Sequence, residues 1–167
     1  GRMLKESDNL YAESMYYQIA ASSGNRPATA KSARALERQL INKLGLDAST
    51  YRLADGSGLS LYNYVSPELE VRFLRYAADN SSIYNHLYSA LPIAGVDGTL
   101  KKRMLSQFTR GNVHAKTGTV EGISSLCGYL EAANGHRICF SIINQGVMHG
   151  RYGRRFQDKV CQLLCQP

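Results

Sequence analysis

Apolar positions recur at helical spacing through the first two thirds of the chain. Tyr11, Met15 and Ile19 stand four apart and predict a helix over residues 10–22, broken by "SSGNRP". Ala33, Leu36, Leu40 and Leu44 mark a second helix over 28–44, with Gly45 placed as its C′ residue. "YRLADGSGLS" reads as an extended piece entering a tight turn at Asp55 to Gly58. Ser66 then caps a third helix: Pro67 takes its first position, Glu68 and Glu70 complement the positive first turn, and the helix carries Leu69, Phe73 and Tyr76. A shorter helix is expected over 83–91, and "LPIAGVDGTLKKRM" as a loop running into a further helical turn or two.

The pattern changes after Gly111. "VHAKTG", "ISSLCGYLEA" and "RICFSIINQ" read as strands, and Asn134-Gly135 is a hairpin turn between the last two. A final helix is expected over 152–165, with Phe156, Val160 and Leu164 on one face. Helices, then three antiparallel strands, then a helix make an α+β chain. Its organisation divides into a mainly helical part, 1–110, and a part with the sheet hairpin and last helix, 111–167. Three strands leave the strand holding Lys116 as an open edge unless another partner covers it.

Composition narrows the classes. The chain has 167 residues, 44% hydrophobic and 20% charged, enough for one domain with a core. No run of 18 apolar residues exists, so no membrane-spanning helix is expected. The net charge of +7 favours anionic partners. Nucleic acid is not expected among them: no run of Lys or Arg exceeds three, there is no Trp, and RNP, zinc-finger and GXXG patterns are absent. The pair Lys101-Lys102 with Arg103 is read as a solvated face. Cys127, Cys139, Cys161 and Cys165 form no C-x-x-C pair and are read as small buried hydrophobes, the last two on one helix face. No H-E-x-x-H occurs and the histidines are scattered, so neither a metal nor a cofactor is expected. His114, two residues before Lys116, is expected on the same sheet face as a polar neighbour of the site.

Two triplets remain: Ser7-Asp8-Asn9 and Lys116-Thr117-Gly118. They match two of the three signatures of the penicillin-recognising serine enzymes, S-D-N and K-T-G. The surrounding phrases "KESDNLYAE", "LADGSGLSLYNYVSP", "LPIAGVDGTLKKRM" and "HAKTGTVEGISSLCGYL" resemble, in this order, the C-terminal half of the D-alanyl-D-alanine carboxypeptidases of the penicillin-binding-protein-4 type, the S13 serine peptidases. The resemblance runs from residue 5 to about 145. The third signature, S-x-x-K, starts at none of the serines present. The chain is therefore expected to be the C-terminal portion of a longer enzyme and inactive alone; the alternative is a homologue that binds cell-wall peptide without catalysis.

The resemblance implies the penicillin-recognising fold, incomplete here, and an acyl-enzyme reaction on peptidoglycan stem peptides ending in D-Ala-D-Ala, outside the cytoplasmic membrane, with β-lactams trapping the acyl state. It implies a proton relay through Ser7 toward the leaving amine and a substrate amide held by Asn9. Lys116 and Thr117 would meet the terminal carboxylate by charge and hydroxyl. Gly118 would make room for the substrate backbone beside the strand. The Thr119 N–H would form half of the oxyanion hole. Asp8 is read as a helix cap, and Asp55 to Ser60 and Asp97-Gly98 as turns that shape the site.

Overall fold

The computed structural model describes residues 1–24 and 26–167. A short helix α1 (Arg2–Lys5) leads into α2 (Asn9–Ser22) and α3 (Ala30–Lys43), followed by α4 (Pro67–Ala78) and α5 (Ser81–Ala90). Then come β1 (His114–Val120), β2 (Ile123–Glu131), β3 (Arg137–Gln145) and α6 (Gly150–Cys165). The strands form one antiparallel sheet in the order β1-β2-β3, turned between β2 and β3 at Asn134-Gly135 as the sequence predicts.

Register fixes what each face carries. Lys116 lies opposite Cys127, and Cys127 opposite Ser141. Side chains alternate, so Ala115, Leu126, Leu130 and Phe140 point to the other face. There they join Cys161 and Cys165 of α6 in the main buried core, with Leu100, Met104 and Val113. α4 packs over the Lys116 face through Leu74, and Tyr129 donates a hydrogen bond from its hydroxyl to the Leu74 carbonyl at 2.7 Å.

The third helix starts as read: the Ser66 hydroxyl accepts from the Leu69 N–H at 3.2 Å, with Pro67 at the first turn. In three helices the buried line is not the one that the apolar spacing marks. In α2 the buried residues are Tyr16 and Ala20, while Tyr11, Met15 and Ile19 are exposed, Met15 by 50%. In α4 the residues that go in are Leu69, Leu74 and Ala77, and Phe73 sits at the surface. In α6 the sheet-facing line is Gly153, Gln157, Cys161 and Cys165, and Phe156 is 53% exposed. A side chain at 153 would collide with Ser124, so glycine lets the helix lie close on β2. Gln157 is wholly buried yet satisfied: its amide donates to Ser124 Oγ and Asn144 Oδ1 and its oxygen accepts from Arg103. Arg103 also pairs with Asp158 at 2.7 Å, so it is a structural tie, whereas Lys101 and Lys102 are solvated. Of the four cysteines, Cys161 and Cys165 are buried and Cys127 and Cys139 half-buried, and all four are free thiols.

Candidate active site

The Ser7-Asp8-Asn9 turn is built by capping and by strain. Asp8 accepts hydrogen bonds from the Leu10 and Tyr11 N–H groups and so starts α2. Ser7, just before it, has φ +56°, a left-handed conformation that costs a non-glycine residue roughly 1–3 kcal/mol. Two contacts hold it there. Lys5 Nζ pairs with Asp97 Oδ2 at 2.6 Å, and Asp97 also accepts from the Ile93 N–H at 2.9 Å. Gly98 presses against the Lys5 carbonyl, where a β-carbon has no room. The Asp97-Gly98 turn thus clamps the serine turn to the segment that runs beside β1.

The result is a contact across 109 residues of sequence: Lys116 Nζ donates to Ser7 Oγ at 2.8 Å. The ammonium is half-buried, and burial lowers its pKa from the ordinary lysine value. It does not stand free at the mouth of a cleft. Asn9, at the first position of α2, is exposed and lines the same cleft, which encloses about 640 Å³ between the serine turn, the 55–60 loop and the sheet. That loop is rigid by its bonds: Asp55 accepts from the Gly58 and Ser60 N–H groups, and Glu13 from that of Ser57.

The edge of β1 supplies a second feature. Ala115 N–H points away from β2, donating to the Pro92 carbonyl. Backbone groups alternate along an antiparallel strand, so the N–H groups of Thr117 and Thr119 point the same way, to the edge that β2 does not cover. Two outward N–H groups there are ready donors for an extended peptide or an oxyanion. The Thr117 hydroxyl donates to Thr99 Oγ1 at 3.0 Å, which orients it. A β-carbon on Gly118 would strike the Ser125 hydroxyl on β2, which would have to turn away to admit it.

His114 is not a polar neighbour of the cleft. It is buried, stacks on Tyr88 at 4.0 Å, and burial lowers its pKa, so it packs beneath the strand. The sequence reading assigned no site role to several groups around the cleft. Glu70, read only as a first-turn acid of α4, accepts from Ser141 Oγ at 2.6 Å and lines the cleft with Cys127. Glu37 on α3 also lines it; its Oε2 is buried without a hydrogen-bond partner, and burial pushes its pKa up to about 7. Lys5 and Asp97 could have been suspected only as an opposite pair, since 92 residues separate them.

Comparison with known proteins gives the family and the fold. Residues 1–166 match the D-Ala-D-Ala carboxypeptidase 3 (S13) family. A D-alanyl-D-alanine carboxypeptidase, DacB, of Haemophilus influenzae is 37% identical over 141 residues, covering 83% of this chain and 29% of that protein. A D-alanyl-D-alanine carboxypeptidase of Actinomadura is 36% identical over 86% of this chain and 27% of its own length. The chain thus spans less than a third of either relative. The crystal structure of penicillin-binding protein 4 from Haemophilus influenzae, complexed with a β-lactam, superposes with a TM-score of 0.89 at 32% identity, over 99% of this chain and 40% of that one. The TLA-3 extended-spectrum β-lactamase shares the fold at 15% identity, with a TM-score of 0.69 over 96% of this chain and 60% of that one. The fold is the penicillin-recognising one.

Proposed function

The chain belongs to the D-Ala-D-Ala carboxypeptidase 3 (S13) family, and from that premise we propose that it forms part of the active site of a serine-type D-Ala-D-Ala carboxypeptidase or endopeptidase. The substrate is a peptidoglycan stem peptide ending in D-Ala-D-Ala, met outside the cytoplasmic membrane. The observation that carries this reading is the 2.8 Å contact between Lys116 Nζ and Ser7 Oγ beside the open edge of β1.

The substrate lies along that edge as an added strand. Its terminal carboxylate meets the Lys116 charge and the Thr117 hydroxyl, whose hydrogen turns from Thr99 Oγ1 to the carboxylate when the peptide binds. The scissile carbonyl reaches the Thr119 N–H, one of the two donors an oxyanion hole needs; such a donor is worth about 3 kcal/mol in the transition state. Asn9 holds a substrate amide with its donor and acceptor. Ser7 passes a proton toward the departing D-alanine amine. Beside the ammonium, the hydroxyl is held with a lone pair toward Lys116 and its own hydrogen toward the leaving group.

The acyl-enzyme of a serine-type peptidase needs a serine nucleophile. S-x-x-K occurs nowhere in these 167 residues, so for this reaction the acylating serine must come from sequence outside them. Incubation with a labelled penicillin followed by intact-mass measurement tests the assignment. This chain by itself is expected to stay unmodified. A protein that joins it to an S-x-x-K segment of its own gene is expected to gain one acyl group. A stoichiometric adduct on a serine of this chain would overturn the assignment of roles.

A further inference from the structure

α6 lays Gly153, Gln157, Cys161 and Cys165 on the sheet, so its opposite side meets solvent along a helix of 16 residues, about 24 Å. Arg151, Arg155 and Lys159 follow one four-residue line there, and all three are exposed. Among the described residues none of them is within ion-pair distance of a carboxylate. The one acid of the helix, Asp158, is taken by Arg103 at 2.7 Å. Beside the cationic line runs an apolar one: Tyr152, Phe156 and Leu163, the last 71% exposed. Arg151 lies over the Tyr152 ring, which joins the two lines at the start of the helix.

Cations with no carboxylate to meet, interleaved with exposed aromatic and aliphatic side chains, fit a partner that is anionic outside and apolar just beneath. A bilayer with acidic headgroups has that layering. Guanidinium and ammonium groups stay among the phosphates, while rings and Leu enter the acyl boundary. A soluble polyanion offers the charge alone and gives Phe156 and Leu163 nothing to bury against. We propose that the outer face of α6 binds the surface of an anionic lipid bilayer, with Arg151, Arg155 and Lys159 on the headgroups and Tyr152, Phe156 and Leu163 below them. The net charge of +7 draws the whole chain toward such a surface, and α6 supplies the face that seats on it. This placement leaves the cleft free. Lys116 lies on the opposite face of the sheet from Cys161 and Cys165, so a molecule seated by α6 turns its cleft away from the lipid. Lipid binding of this kind is independent of what the cleft hydrolyses.

The test is sedimentation of the enzyme that carries this chain with vesicles, at about 0.1 M salt, where charges more than about 10 Å apart are screened. The vesicles are phosphatidylcholine alone, or phosphatidylcholine mixed with phosphatidylglycerol. Binding is expected on the mixed vesicles only. Arg151→Gln/Arg155→Gln/Lys159→Gln should weaken it by roughly a hundredfold, about fivefold for each charge. Lys31→Gln/Arg38→Gln/Lys43→Gln removes the same charge from exposed positions of α3 and should weaken it far less. Phe156→Ser/Leu163→Ser should weaken vesicle binding and leave any binding to soluble polyphosphate unchanged. All the substituted side chains are exposed, so the fold should tolerate each change, with circular dichroism as the check. No binding of the unsubstituted enzyme to the mixed vesicles would overturn the proposal. Equal losses in the two triple variants would do the same, because net charge and not a face would then bind. Unchanged vesicle affinity after Phe156→Ser/Leu163→Ser would make the partner an anionic polymer and remove the bilayer.

Discussion

The two faces of the sheet follow opposite rules. On the α6 side Ala115, Leu126, Leu130 and Phe140 meet Cys161 and Cys165 in a closed apolar layer. On the α4 side the layer is apolar only at the start of β1, where His114 and Tyr129 pack with Tyr88. From Lys116 onward the same face carries a cation, the Cys127 thiol, the Ser141 hydroxyl and the Glu70 carboxylate, and it opens into the cleft. A single residue step along β1, from Ala115 to Lys116, moves from one regime to the other. The lesson is that stability and chemistry are separated by the pleat of one strand, so substitutions one residue apart should fail in different ways.

The largest expected effect is on the closed side. Leu126→Ala removes a fully buried side chain from the centre of the layer and should cost about 2–5 kcal/mol of stability. Urea unfolding monitored by circular dichroism measures it. A loss under 1 kcal/mol would mean that the layer collapses into the gap and that the contrast between the faces is overstated.

A smaller effect, opposite in sign, belongs to the cleft side. Burial pushes the Glu37 carboxyl up to about 7, from an ordinary value near 4.5. Between those two pH values the folded protein holds more protons than the unfolded chain, so stability falls as pH rises through the window. Glu37→Gln imitates the protonated acid. Its melting temperature should vary less than that of the parent from pH 5 to 8 and exceed it above pH 7. Parallel melting curves for the two proteins across this range would show that Glu37 ionises without penalty.

How much of this was legible depended on range. The start of α4 was readable in full because a cap and its proline act within one turn. The β2–β3 hairpin was readable because Asn-Gly fixes its own turn. The inner face of α2 was not. Its apolar residues, among them Tyr11, Ala12, Met15, Tyr16, Tyr17, Ile19 and Ala20, occur all round the helix, so spacing cannot choose a stripe. In α6 the rule of apolar residues inside misled, because a glycine and a satisfied glutamine occupy the sheet-facing line. The site was legible only as two triplets and a resemblance. Local pattern carries no information on the meeting of Lys116 with Ser7, nor on the Lys5–Asp97 clamp that holds the serine turn, since both join distant segments.

The account turns on whether Lys116 reads the terminal carboxylate while it holds Ser7. The measurement is kcat/KM of Lys116→Ala against the parent enzyme, on a D-Ala-D-Ala peptide and on the same peptide with its terminal carboxylate amidated, with circular dichroism to confirm folding. Losing the contact to Ser7 should slow both substrates. The acid should lose a further factor of roughly 10 to 150, the equivalent of about 1.5–3 kcal/mol for a hydrogen bond to a charged group. Equal losses on acid and amide would contradict the account, leaving Lys116 as a prop for Ser7 with no part in binding the carboxylate.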